Sequence, residues 1–201
     1  MDDQYFETQK KIIEKLEKFD EEISKTGEIR AWKKFIGDVC VRLLKAFIER
    51  ELPEGYVITQ PYAYIQGFPT EFDLLIVRKK AKPMEYTNVY NPKEVVIGLE
   101  IKKGGIYSSK NYLEKSIEKI KDNFNRVKKK YNHINFIYLT ISEVTKTKRR
   151  NAINYFEITK KGLSPYKAYC LKDSRTGELF PDGWRDFISY IKELISRDKE
   201  R

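Results

Sequence analysis

Val95-Val96-Ile97-Gly98-Leu99-Glu100-Ile101-Lys102, followed at once by Lys103-Gly104-Gly105, is the stretch on which the fold turns. It is apolar as far as Leu99 and closed by glycines, which reads as a buried strand. Its last three residues break the apolar run. Strand side chains alternate between faces, so Glu100 and Lys102 share one face and Ile101 takes the other. Burying an ionised group without a partner costs several kcal/mol, so these charges require company. It is offered by a second run, Glu71-Phe72-Asp73-Leu74-Leu75-Ile76-Val77, read as one strand with an acidic start and an apolar end. If the two strands pair, two carboxylates and an ammonium meet at one edge of a sheet.

Two close carboxylates repel, and a hard divalent cation relieves the repulsion. Mg2+ accepts one or two protein carboxylates and completes its shell with water and phosphate. A nearby lysine can hold or help to deprotonate an attacking water. This is the minimal equipment for metal-assisted phosphodiester hydrolysis. The plain alternative is a cross-strand ion pair between Asp73 and Lys102 with no chemistry attached.

Outward from these strands the chain reads as alternating elements. An amphipathic helix covers residues 4–25, with Ile12, Leu16, Phe19 and Ile23 on one side; it either packs on its own domain or serves as an arm for a partner. A second helix runs from Glu28 to Glu51 with the stripe Trp32, Ile36, Val39, Leu43 and Phe47, and is stopped by Pro53 and Gly55. Short strands follow at Tyr56–Thr59 and Ala63–Ile65. Arg78–Pro92 reads as a loop or irregular hairpin. A basic helix is expected from Asn111 to Tyr131, with Leu113, Ile117, Ile120, Phe124 and Val127 inward. A buried strand at Asn135–Ile141, a strand at Tyr166–Leu171 and a last helix at Trp184–Ser196 complete a mixed α/β domain.

Asp73 in PTEFDLLIV and Glu100-Ile101-Lys102 in VVIGLEIKKGG, set in the order helix, strand, strand, helix, strand, resemble the PD-(D/E)XK nuclease superfamily. The resemblance implies a restriction-endonuclease-like core: a mixed central β-sheet flanked by α-helices, here with an extra N-terminal helix. It divides a single nuclease domain, 1–201, into the helix at 1–26, a catalytic core at 28–142, and the basic loop, strand and helix of 143–201. By the same resemblance Asp73, Glu100 and the Ile101 carbonyl hold Mg2+, with Mn2+ able to substitute, and Lys102 positions or activates water. The acid-x-Lys triplet occurs once in the chain. Phe72 stands where the family name has proline; the literal Pro181-Asp182 pair has no acid-x-Lys after it and reads as a turn. Asp73 and Glu100 are separated by 26 residues, more than a plain hairpin needs, so 78–93 is an insertion. Glu71 is an alternative ligand. A helix-borne carboxylate, common in the superfamily, would come from Glu28, Asp38 or Glu49; Asp38 is preferred for its apolar neighbours, against an exposed acid paired with Arg42 at i+4.

Charge adds a partner. The chain carries 40 Lys+Arg and 30 Asp+Glu, a net +10. Residues 101–150 alone hold 14 basic and 4 acidic side chains, so one quarter of the chain supplies the excess, as a surface for a polyanion does. Tyr107, Ser108, Ser109 and Lys110 follow the catalytic strand and suit the phosphate flanking the cut. Lys146, Lys148, Arg149 and Arg150 suit backbone contacts, and Asn151 and Asn154 base edges. DNA is the expected partner, double-stranded or branched and single-stranded, cut by a homodimer if the enzyme is of restriction type. A non-catalytic basic nucleic-acid-binding module is the competing class. His133 is the only histidine and Cys40 and Cys170 the only cysteines. A four-cysteine metal site is therefore excluded, a histidine triad or metal cluster would have to rest on His133 alone, which reads as a plain surface or boundary residue, and two reduced thiols fit a cytoplasmic protein. The acidic N-terminus lacks an apolar signal core, and no run of about 18 apolar residues offers a membrane span.

Overall fold

The computed structural model describes residues 3–25, 29–104, 110–143, 155–173 and 176–200. The elements in order are α1 (Asp3–Ser24), α2 (Ile29–Glu51), β1 (Tyr56–Ile58), β2 (Ala63–Ile65), β3 (Glu71–Phe72), β4 (Leu74–Arg78), β5 (Val89–Tyr90), a 3-10 turn at Pro92–Glu94, β6 (Val95–Lys102), α3 (Lys110–Lys130), β7 (Asn135–Glu143), α4 (Tyr155–Leu163), β8 (Lys167–Asp173) and α5 (Gly183–Lys199). A five-stranded mixed sheet runs β1-β4-β6-β7-β8, antiparallel from β1 to β6 and parallel from β6 to β8. A second, three-stranded sheet runs β3-β2-β5.

Helices cover both faces of the large sheet because its strands are apolar on both. On one face α1, α2 and α5 bury Ile12, Leu16, Leu44, Ile48, Trp184 and Phe187 against Leu74, Ile76, Ile97 and Leu99. On the other, α3 and the small sheet enclose Phe72, Leu75, Val77, Phe124 and Phe136. Here Phe124 and Phe136 stack at 4.7 Å between ring centroids, and Phe72 and Phe136 at 5.5 Å. Gly98 makes room for them: a Cβ at that position would sit 2.8 Å from the Phe136 ring.

Three details depart from the sequence expectation. The run Glu71–Val77 is not one strand. It bends at Asp73, and β3 and β4 belong to different sheets. The insertion is not merely a loop, because β5 within it pairs in parallel with β2. On α2 the face toward the sheet is Cys40, Val41, Leu44, Phe47 and Ile48, while Ile36, Val39 and Leu43 are only half-buried. The helix is apolar over much of its circumference, so periodicity leaves its rotation open by about one residue.

Helix α1 is built into the domain and is not a free arm. Gln9 is fully buried on it. Its side-chain amide donates to the Leu171 and Phe180 carbonyls at 2.6 and 2.7 Å, and its Oε1 accepts the Trp184 amide at 2.8 Å. Glu17 and Asp20, one turn apart, pair with Lys172 after the core of β8 and Lys103 after β6. The replacement Gln9→Leu keeps the volume but leaves the buried Trp184 amide without its acceptor and takes one of two donors from each of the Leu171 and Phe180 carbonyls. It should cost about 3 kcal/mol in urea unfolding; a loss below about 0.5 kcal/mol would show that the three bonds contribute nothing net.

Candidate active site

Antiparallel pairing of β4 with β6 puts Leu74 opposite Leu99. The residue before Leu74 therefore falls beside Glu100. At this point the chain leaves the large sheet, and the bend frees the Asp73 side chain to reach across the gap beyond the end of β4. Its Oδ2 accepts the Ile101 amide at 2.6 Å. The N–H and C=O of one strand residue point to the same side, so the Ile101 carbonyl faces that gap too. Lys102 Nζ stands 2.5 Å from Glu100 Oε1 and 3.5 Å from Asp73 Oδ2. The three residues placed together on sequence grounds are thus together in space.

The side chains of Asp73 and Glu100 are 15% and 17% exposed, and that of Lys102 is 39% exposed. The centre is recessed yet open to a substrate. Withdrawal from water raises the carboxyl pKa of both acids, against the lowering pull of Lys102. Burial acts to lower the Lys102 pKa, but Glu100 and Asp73 outweigh it and the value is raised. The cluster holds two acids and one base, so it is one positive charge short of neutral. Its oxygen-only donor set, two carboxylates and a backbone carbonyl, suits a hard divalent cation. Among the described residues no three His, Cys, Asp or Glu side chains gather into a closed cage.

The further candidates are placed as follows. Glu71 is exposed and its Oε2 accepts the Tyr64 hydroxyl at 2.6 Å; its charge nevertheless pushes the pKa of both Asp73 and Glu100 upward. Asp38 accepts a hydrogen bond from the Tyr62 hydroxyl rather than from Arg42. One oxygen of each of these carboxylates is thus engaged by a tyrosine hydroxyl. Tyr107, Ser108, Ser109, Lys146, Lys148, Arg149, Arg150, Asn151 and Asn154 lie outside the described residues, and of Lys110 only the backbone is described. Pro181 and Asp182 precede α5, where Asp182 pairs with Arg185 at 2.8 Å, far in the sequence from the centre. His133 binds the Pro92 carbonyl through Nε2 at 3.0 Å, a structural use. Both cysteines are buried and neither forms a disulfide. Burial pushes the Cys40 thiol up to about 12, so it stays protonated and inert.

Tyr62 is the neighbour that sequence reasoning missed. Its amide donates to the Asp73 carbonyl at 3.0 Å, and its backbone has a φ of 63°, uncommon for a bulky residue. Burial, then the Asp38 hydrogen bond, raises its phenol pKa. No local pattern marks Pro61-Tyr62; only the register of β2 on β3 brings it opposite Asp73. Gly104 closes the site behind Lys103: φ is 129°, and a Cβ would lie 2.2 Å from the Ser142 carbonyl oxygen, so glycine is required there.

No family model matches the chain, and no curated protein does. Solved structures do resemble it. NucC of P. aeruginosa ATCC27853 in its cAAA-bound form superposes with a TM-score of 0.61 at 9% identity, covering 96% of this chain and 91% of that one. NucC of E. coli MS115-1 gives 0.61 at 10% identity in its cAAA-bound form, over 98% and 89% of the two chains. Its apo form gives 0.52 at 9% identity, over 89% and 91%. These likenesses are likenesses of fold, and with the mixed sheet between helices they make the fold restriction-endonuclease-like. Among the described residues no helix is long and apolar enough to cross a membrane.

The raised carboxyl values predict a pH effect. A carboxyl whose pKa rises on folding stabilises the fold fully below its unfolded value of about 4, and that contribution is lost as pH rises through the folded value. At neutral pH Asp73 and Glu100 therefore oppose folding. In EDTA, Glu100→Gln should resist urea better than wild type at about pH 7.5, and the gap should close toward about pH 4. A variant less stable than wild type at the higher pH would show that the ionised glutamate is held favourably.

Proposed function

We propose that the chain is a Mg2+-dependent endodeoxyribonuclease of the PD-(D/E)XK superfamily, hydrolysing phosphodiester bonds in DNA. The observation that carries this reading is the convergence of Asp73, Glu100 and Lys102 at one edge of a restriction-endonuclease-like sheet. A structural ion pair explains one carboxylate and the lysine. It does not explain a second, destabilising acid in the same recess, which a binding module would have no use for either.

Asp73 and Glu100, with the Ile101 carbonyl, form the donor set for the cation. When bound, Mg2+ or Mn2+ would supply charge to stabilise the strained phosphate and acidify water. Lys102 is held by both carboxylates, so its ammonium is aimed at the recess. There it donates to the attacking water or to a phosphate oxygen and keeps it in line with the breaking P–O bond. Asp73 is in turn held through Oδ2 by the Ile101 amide. The basic excess of residues 101–150 begins directly after Glu100 and suits the backbone of the same strand. A restriction-type enzyme would act as a homodimer and cut both strands; a recombination, repair or viral nuclease would instead act on a junction, flap or single strand.

Incubation of supercoiled plasmid, linear duplex, single strands and a four-way junction with Mg2+ or Mn2+ tests the reading, with light scattering for the oligomer. Cleavage should vanish in EDTA. Asp73→Ala, Glu100→Ala and Lys102→Ala should each slow it on the order of 100-fold or more. Cleavage by all three at the wild-type rate would refute the site, and salt-sensitive binding by wild type without cleavage would favour the binding module.

A further inference from the structure

The insertion between β4 and β6 ends in an unusual surface. Lys79, Lys80, Lys82, Met84, Glu85 and Tyr86 are all exposed. Tyr86 is 97% exposed, the most of any large apolar side chain described, and Met84 is 49% exposed. The segment is nevertheless firmly built. The Met84 amide donates to the Val89 carbonyl at 2.8 Å and the Thr87 amide to the Met84 carbonyl at 3.0 Å. The Thr87 hydroxyl donates to the Met84 carbonyl at 2.8 Å and accepts the Val89 amide at 3.2 Å. Tyr86 sits in the left-handed region with φ at 58°, where glycine or asparagine would be less strained. A bulky ring held in strained backbone and given wholly to water does nothing for the fold.

The register of the small sheet locates this ring. Phe72 pairs with Ala63, and Tyr64 with Val89. The register thus carries Tyr62 opposite Asp73 on one side and Thr87 on the other, with Asn88 beside Ala63 one residue in from that end. The Asn88 side-chain amide donates to three successive carbonyls, Gln60, Pro61 and Tyr62, at 3.2, 3.0 and 3.1 Å. Tyr62 in turn donates its amide to the Asp73 carbonyl. Two strand spacings separate the Asp73 and Asn88 backbones, about 10 Å, and Tyr86 stands two residues further, within about 7 Å more. The chain leaves β4 at the far end of the sheet and returns to present its tip at the catalytic end.

We infer that residues 79–87 are a substrate finger, in which the Tyr86 ring stacks on an unpaired nucleobase within about five nucleotides of the scissile phosphate. Lys79, Lys80 and Lys82 contact phosphates of the same strand, and Met84 packs beside the base. An exposed aromatic ring fits this partner because every base offers a π-face. Three lysines against one acid, Glu85, match the polyanion. The inference rests on the nuclease reading for its substrate class and adds the element that grips the strand.

The test is binding without cleavage. A single-stranded DNA oligonucleotide carrying 2-aminopurine is titrated with the full chain in EDTA, and anisotropy and base fluorescence are read. Wild type should bind and quench. Tyr86→Asn, which suits the left-handed backbone, should weaken binding on the order of tenfold and abolish the quench, with the salt slope unchanged. Tyr86→Phe should restore both. Replacing Lys79, Lys80 and Lys82 by alanine should reduce the slope of log affinity against log salt by about 2. Wild-type affinity in Tyr86→Asn, equal weakening on fully paired duplex, or no binding by wild type would each overturn the finger. Because no cation is present, cleavage makes no contribution to the readout. A finger that binds as described in a protein that never cuts would leave the base-stacking role of Tyr86 standing and remove the nuclease reading together with the placement relative to a scissile phosphate.

Discussion

The hydrogen bond from the Ile101 amide to the Asp73 carboxylate ties the arrangement together. It joins a side chain at the entrance of one strand to the backbone at the exit of the next. It forms only if β4 and β6 keep their register with Leu74 opposite Leu99, and only if the chain turns out of the large sheet at Asp73. The turn has its own cause. Phe72 is drawn into the ring stack with Phe124 and Phe136 on one face, while Leu74 is drawn to the opposite core. Asp73, between two residues buried in different places, has nowhere to go but the seam. The acid is thus positioned by the hydrophobic residues on either side of it, and the amide bond locks what they begin.

The seam is electrostatically unfinished. Two acids and one base in a recess leave an uncompensated negative charge, and withdrawal from water raises both carboxyl pKa values. A centre shaped for stability alone would have replaced one acid by an amide, or matched it with a second base. Keeping both acids ionised opposes folding, and the rest of the molecule offsets it through two large cores and the bonds that bind α1 to β8 and α5. This is the pattern expected of a site whose missing positive charge a bound cation would supply.

How much of this was legible in the sequence follows from which contacts are local. Strand β6 spans Val95–Lys102 as expected, because a continuous apolar run with charges at one end and glycine after it has one reading. Asp73, Glu100 and Lys102 were legible for the same reason: charged groups stand out where burial is demanded. The bend at Asp73 was not, because Phe72, Leu74, Leu75 and Ile76 are all buried and an unbroken apolar run conceals a change of sheet. The α2 rotation was hidden by apolar residues on more than one side. Tyr62 was invisible, since its place depends on the pairing of β2 with β3 and not on its neighbours. The basic loop at 146–150, where sequence reasoning set half of its phosphate contacts, lies outside the described residues.

The insertion shows why those non-local contacts matter for function. A connection from β4 to β6 needs only to turn round, yet this chain spends 16 residues between Arg78 and Val95, adding strand β5 and the clamp made by Asn88. That clamp acts on carbonyls of the loop carrying Tyr62, and Tyr62 touches both Asp73 and Asp38. Without it, the backbone of residues 60–62 would carry three carbonyls with one fewer donor, and the strained Tyr62 conformation would lose its main restraint. Opposite the carbonyl of Asp73, such a loop would move the acid's backbone with it. The second sheet is therefore best understood as a brace: a set of short strands, too small to stand alone, that holds the seam from the side the large sheet leaves open and carries an exposed ring to its edge.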